Sequence, residues 1–239
     1  MLRCKSRHFL CLQTVSDIAH NGFPFSIRRF PFIITLVPFT KRQRIAFILV
    51  LAAGLLPPGL FLLTHHCPAS GIAFTKERRD LHRLKNRTTL PQASDFDERV
   101  ALSSLLQPGD DSARWSSSRA ARIEGYVVSV ASARTELANC YYGRDTHIHI
   151  ASQPDAPPRE HVVLETTPRM EDWARTQGWD WSEEMLERQL LGRLVRFEGW
   201  LLFDSSHARE SENIAPGTPL NWRATAWEIH PVTKIEVIR

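Results

Sequence analysis

From residue 122 onward the chain alternates β-branched and aromatic runs with clusters of turn residues, the pattern of short strands laid against one core. Five runs stand out: RIEGYVVSV (122–130), THIHIAS (146–152), HVVLETT (161–167), LVRFEGWLLF (194–203) and ATAWEIHPVTKIEVI (224–238). One segment between them changes period. In SEEMLERQLL (182–191), Met185, Leu186, Leu190 and Leu191 recur at helical spacing behind Ser182 as N-cap, and Gly192 supplies the stop. The order β-β-β-α-β-β predicts a mainly β domain, an OB-fold-like five-stranded Greek-key barrel with one helix between its third and fourth strands.

Upstream the pattern is different. Residues 45–64, IAFILVLAAGLLPPGLFLLT, are uncharged throughout and long enough for a single transmembrane helix. Lys41, Arg42 and Arg44 precede this run directly, so the positive-inside bias puts the N-terminus in the cytoplasm and the C-terminal domain outside it. Pro57-Pro58-Gly59 breaks the second half of the run as in a signal peptide. Thr64-His65-His66-Cys67 lacks a small-residue cleavage pattern, which favours an uncleaved anchor. Residues 1–44 carry no motif and fit an extension assigned upstream of a non-Met start. Residues 65–93, containing KERRDLHRLKNR, read as a basic linker, either solvated or a short helix near the lipid surface. The OB-like domain is then 94–239. It opens on a short helix with Ser94 as N-cap that carries Val100, Leu102, Leu105 and Leu106 to a stop at Pro108-Gly109.

The first and fourth strands echo each other, RIEGYVVSV against RFEGWLLFD. These strands are antiparallel neighbours in the expected barrel, so the echo fits two strands that bend at Gly125 and Gly199. It also predicts charge pairing of Arg122 and Glu124 with Glu198 and Arg196 across them. A duplicated module should extend past nine residues, and the segments that follow share no pattern. A shared ligand surface is the other alternative.

Charge divides the chain sharply. Residues 1–94 hold 14 Lys/Arg against 3 Asp/Glu, and residues 95–239 hold 16 against 23. The folded part is therefore acidic, which argues against nucleic acid as a partner. The basic part flanks the apolar run, where membrane lipid is the expected contact. Cys4, Cys11, Cys67 and Cys140 have no zinc-ligand spacing; in an exported domain Cys67 and Cys140 are the two thiols able to pair.

Candidate chemistry gathers in three places. In GRDTHIHI, His147 and His149 lie two apart and share a strand face, as metal ligands or a proton-transfer pair would, with Ile148 and Ile150 turned to the core. With His230, and with Asp145 and Glu228 as orienters or ligands, they make a metal-dependent hydrolase conceivable, although no H-E-x-x-H or similar signature appears. His230-Pro231 also has a structural reading, as a bulge that shifts the phase of the last strand. The third place is the long polar loop DSSHARESENIAPGTPLN (204–221), lying where an OB-fold places its binding face. Asp204, His207, Asn213, Asn221, Trp222 and Arg223 are the candidate ligand contacts there. Trp200, Trp222 and Trp227 offer stacking surface or core, and Trp173, Trp179 and Trp181 can cap one end of the barrel.

Over residues 94–239 the runs NWRATAWEIHPVTKIEVI, GRDTHIHI and GWLLFD resemble a group of uncharacterised bacterial membrane-anchored proteins with an OB-like domain. That resemblance implies a fold and a binding or assembly role in the cell envelope with an envelope protein partner, without an established reaction or cofactor. A metal-dependent hydrolase and a nucleic-acid-binding domain are the alternatives.

Overall fold

A computed structural model describes residues 67–238. The expected transmembrane run 45–64 lies outside them, and no helix among the described residues is long and apolar enough to cross a membrane. Five strands, β1 (Ala120–Ser132), β2 (Thr146–Ala151), β3 (Val162–Thr166), β4 (Leu194–Phe203) and β5 (Trp227–Val237), close into a barrel in the order β1-β2-β3-β5-β4. The first and fourth strands are antiparallel neighbours, as expected, and the barrel also closes through a parallel pairing of β3 with β5 at Leu164 and Ile229. The predicted helix between β3 and β4 is present as Glu183–Leu190. A second, Pro168–Thr176, precedes it in the same connection, started by Thr167 Oγ1 accepting from the Met170 N–H.

Strand alternation fills the barrel. Ile123 and Val127 of β1, Ile148 and Ile150 of β2, Val162 and Leu164 of β3, Phe197 and Leu201 of β4, and Ile229 and Val232 of β5 meet in one core. The step from Ile229 to Val232 spans three residues rather than two, so the expected phase change at His230-Pro231 does occur. Irregular β4–β5 register at Gly199 faces it. The tryptophan-rich connection packs onto this core through Trp181, with Trp173 and Trp179 stacked around it at centroid distances of 5.6–6.1 Å.

The helix expected to start at Ser94 takes another form. Ser94 lies inside a 3-10 turn (Ala93–Asp95), Phe96 then bridges to Ala120, and α-helix is confined to Leu102–Leu105. Tertiary pairing overrides local propensity here: Asp97 N–H donates to Ala120 O, and the Arg119 guanidinium donates to Phe96 O. The apolar residues of this stretch still reach the core, with Val100, Leu102 and Leu105 buried.

The basic stretch before it folds onto the barrel. Helix α1 (Lys76–Lys85) is capped by Thr75 Oγ1 accepting from the Arg78 N–H at 3.2 Å, and it buries His82 and Lys85. Arg87 donates to the carbonyls of Ser117, Leu201 and His230, and Asn86 donates to those of Ala69 and Ala138. A Cys67–Cys140 disulfide, with Cα atoms 5.7 Å apart, ties the start of this layer to the β1–β2 connection.

The two echoed strands carry their charges as predicted. Arg122 pairs with Glu198 and Glu124 with Arg196, in register on adjacent strands at 2.9 and 2.7 Å. Such exposed pairs contribute about 0.2–1 kcal/mol each. Their glycines differ, however. Gly199 sits at the β4–β5 irregularity, where an added Cβ would come within 2.4 Å of Pro231 O and 3.0 Å of Val232 Cα. Gly125 lies in regular pairing with β4 and receives the side chains of Leu102 and Ile150 at 3.0 Å; the β1 bulge falls instead between Val127 and Ser129. Gly199→Ala is therefore expected to lower stability by about 1–3 kcal/mol, because backbone must move. Gly125→Ala should cost less, since the tips of two flexible side chains can yield. Equilibrium urea unfolding of the two variants measures the difference, and equal losses would contradict the assignment.

Candidate functional site

The outward positions of β2, β3 and β5 carry charge in place of the usual solvent-facing mixture. Where Ile148, Leu164 and Ile229 point inward, their strand neighbours His147, Glu165, Glu228 and His230 point to the other side of the sheet. There they lie beneath α1, the β1–β2 connection and the segment after β4. Glu165, Glu228 and His230 are 3%, 1% and 0% exposed, and Asp145 at the foot of β2 is 1% exposed. Burying such groups is tolerable only when they answer one another.

They do so as one network. Arg223, wholly buried, donates from Nη1 to Glu228 Oε1 at 2.7 Å and from Nε to Thr225 O, with Asp204 Oδ2 3.8 Å away. The other Glu228 oxygen lies 3.3 Å from His230 Nδ1, and Glu165 Oε2 lies 3.1 Å from the same nitrogen. His147 Nε2 sits 3.0 Å from Glu165 Oε1, matching their paired register. Asn139 Nδ2 donates to Asp145 Oδ1 at 2.8 Å, and Asp145 Oδ2 is 4.0 Å from His230 Nε2. Lys85 closes one side through Glu136 at 2.6 Å.

The field of this network sets its protonation. Burial opposes charge on His230 and His147, yet neighbouring Glu165 outweighs it and raises both imidazoles; Glu228 adds to the effect at His230. Burial likewise works against Glu165, but His230 and His147 hold its carboxyl well below the ordinary range. Asp145 goes the other way: burial, with Glu165 close by, pushes it up to about 6 against the pull of His230. Lys85 is desolvated, and Glu165, Glu136 and Asp145 together still keep its ammonium above the usual value.

The structure thus brings together Asp145, His147, Glu228 and His230 of the sequence-predicted candidates and adds Glu165, which sequence reasoning missed. Its signal was parity: Glu165 is the acidic residue opposite His147 once HVVLETT pairs antiparallel with THIHIAS. His149 shares the β2 face with His147, but it turns to a different neighbourhood. Its ring stacks on Trp222 at 5.6 Å and meets His161 edge-on at 5.7 Å. Burial, with His147, His161 and Arg223 nearby, lowers it to about 3, so it is neutral at physiological pH. The proposed metal trio of His147, His149 and His230 therefore does not assemble, because His147 is engaged by Glu165 and His149 by Trp222.

The loop candidates separate in the same manner. Asn213 is buried, donating to Leu105 O and Asp111 Oδ2, and Asn221 donates to Glu212 and Ala215 O, so both serve the loop's own architecture. Asp111, another residue without a sequence signal, anchors this region by also accepting from Thr225 Oγ1, while its carbonyl accepts from Trp227 Nε1. Trp227 is core, and Trp200 donates to Thr89 O beneath Arg87. Asp204 and His207 pair at 2.5 Å, and the partly exposed His207 ring meets Trp222 edge-on. What remains accessible along this face is therefore a strip of rings, His147, His149, Trp222 and His207, bordering the loop. A cleft of about 640 Å³ opens at the loop's far side between Leu106, Arg159, Glu212 and Asn213. No protein-family model matches the chain, and comparison with curated proteins and with solved structures gives no significant match.

Two outcomes follow. Arg223→Met leaves Glu228 charged and buried without its partner, and unfolding should cost about 3–5 kcal/mol less than in the wild type, as read from denaturant titration at neutral pH. The pair of buried Asp204 and partly exposed His207 gives a pH signature. Its hydrogen bond to Asp204 raises His207, so that contribution is complete below the unfolded value of about 6.5 and is lost as pH rises through the folded value. For Asp204, burial raises the carboxyl but His207 and Arg223 bring it below its ordinary value, so its contribution is present above about pH 4 and lost on acidification. The stability difference between wild type and His207→Ala should peak between these limits, near pH 5–6, and shrink toward alkaline pH.

Proposed function

We propose that this chain is a membrane-anchored, OB-like binding or assembly module held outside the cytoplasm in a bacterial cell envelope. The observation that carries the reading is the Cys67–Cys140 disulfide. Such bonds persist in oxidising compartments and are rare in the cytosol. Cys67 follows the apolar run 45–64 by three residues, so an oxidised Cys67 agrees with a chain that crosses the membrane there, with Lys41, Arg42 and Arg44 on the cytoplasmic side. The strand order and the helix placement support the OB-like assignment, and the same group of bacterial proteins remains its proposed relation.

The binding surface is the strip formed by His149, Trp222 and His207 beside the β4–β5 loop, the side on which such barrels meet their ligands. Its rings are half-buried, with His149 stacked on Trp222 and His207 edge-on to it, suited to an envelope protein partner more than to a polyanion. The acidic balance of residues 95–239 weighs against nucleic acid. The charged network has the residue types of a hydrolase, but Asp145, Glu165, Glu228 and His230 at 0–3% exposure lie out of reach behind the half-buried His147, which favours a binding role over catalysis.

Alkaline phosphatase fused after Arg239 tests the placement directly: activity is expected, together with a mobility shift on reduction that Cys67→Ser abolishes. Loss of the bond should cost about 2–5 kcal/mol. An inactive fusion, or free thiols at Cys67 and Cys140 in cells, would overturn the reading. Trp222→Ala, which gives up ring contacts with His149, His207 and Arg223, should lower the unfolding midpoint but leave the domain folded while removing envelope-protein crosslinks formed from a photoreactive residue at His149.

A further inference from the structure

Three groups from separate elements converge inside the charged network. Asp145 comes from the end of the β1–β2 connection, Glu165 from β3 and His230 from β5, and one ligand atom of each lies within 4.8 Å of the other two. All three residues are buried. We propose that Asp145, Glu165 and His230 bind one divalent transition cation, zinc being the ion their donor set fits best.

The hydrogen bonding argues for this beyond the proximity of the acids. Each residue has one atom committed to an orienting partner. Asn139 holds Asp145 Oδ1 at 2.8 Å, His147 lies 3.0 Å from Glu165 Oε1, and Glu228 lies 3.3 Å from His230 Nδ1. The atoms turned toward one another are Asp145 Oδ2, Glu165 Oε2 and His230 Nε2. Of these, His230 Nε2 is fully buried and makes no hydrogen bond, and Glu165 Oε2, also buried, has only its ion-pair contact with His230 Nδ1 at 3.1 Å. Native interiors rarely leave a buried nitrogen like His230 Nε2 unanswered. A hydrogen-bonding group behind each ligand, here the Asn139 carboxamide, the His147 imidazole and the Glu228 carboxylate, is also how metal-binding side chains are commonly fixed in orientation.

Geometry and charge agree. Around zinc, carboxylate and imidazole donors stand about 2.0–2.2 Å from the ion, so neighbouring donors are roughly 3.4 Å apart in a tetrahedral site. The present spread of up to 4.8 Å needs a contraction of the order of an ångström, within the reach of side-chain rotation. The nearby cations are already engaged, Lys85 by Glu136 and Arg223 by Glu228. Two carboxylate oxygens and one imidazole nitrogen, with no sulfur, suit zinc, with manganese as the next candidate. Being inaccessible, the ion would act as a staple between β3, β5 and the base of β2, a role separate from the partner-binding strip.

The test uses the full-length chain, purified in detergent without chelator. Elemental analysis is expected to find about one zinc per chain, removed by a strong chelator with a fall in unfolding temperature of several degrees that added zinc reverses. Glu165→Gln and His230→Gln should lose the metal, and His147→Gln, which removes only an orienting contact, should weaken zinc binding about 10–100-fold. Should the ligand variants fail to fold, wild-type titrations decide. Folded protein that carries no stoichiometric metal, and whose unfolding temperature is unmoved by excess zinc or manganese, would overturn the proposal. So would zinc bound with undiminished affinity by a folded Asp145→Asn or Glu165→Gln variant.

Discussion

The buried ion pair between Arg223 and Glu228 constrains this domain more than any other contact. A guanidinium with no exposure has to be met by carboxylates, and Glu228 meets it from a strand position that would ordinarily face water. Once Glu228 is fixed, His230 two residues on is fixed as well, because its ring sits between Glu228 and Glu165. Glu165 then draws in His147 across the β2–β3 ladder. Taken alone, each of these groups would be an expensive thing to bury; together they neutralise one another. Such a network adds little net stability compared with apolar packing, but removing one member strands the rest.

That constraint explains why the segment before the barrel belongs to the fold. The charged face of β3 and β5 needs a cover, and α1 provides it with Lys85, whose ammonium adds positive charge beside Glu165 and Asp145. Arg87 fastens the exit of α1 to the barrel through three backbone carbonyls, including that of His230. The disulfide fastens its entry. A stretch that is basic and mostly polar in sequence can thus be a structural layer, because Lys85 turns to the acidic groups of the sheet and Arg87 to its carbonyls, while Lys76, Arg78 and Arg83 stay exposed.

Much of the barrel was legible because its interior obeys strand alternation. The boundaries of β4 follow the apolar run without change, and the phase shift at His230-Pro231 and the Arg–Glu pairs of the echoed strands appear where the residues imply them. The helix expected from Ser94 was not legible, since a parallel bridge between Phe96 and Ala120 is a tertiary event without a local signature. Neither was the early helix Pro168–Thr176, whose tryptophan and arginine content hides its amphipathic face. Of the site, the acid–histidine composition was visible, but the partner choices were not. His147 and His149 look equivalent in sequence; Glu165 across the sheet outweighs burial and raises the first, whereas burial, with His147, His161 and Arg223 nearby, lowers the second.

This divergence of two histidines on one strand face separates two environments on the barrel. The side of His147 is charged, and behind that ring Asp145, Glu165, Glu228 and His230 are almost wholly buried and paired with one another. The side of His149 is aromatic and partly open, beside a loop that Asp111 and Asn213 brace from within. A loop anchored in this manner presents Trp222 and His207 with little freedom to lose on contact, and preorganised side chains lower the entropic cost of association. In the proposed binding role the buried network would act indirectly, since Arg223, adjacent to Trp222 and stacked 5.1 Å from its ring, joins the rigid interior to the half-buried strip.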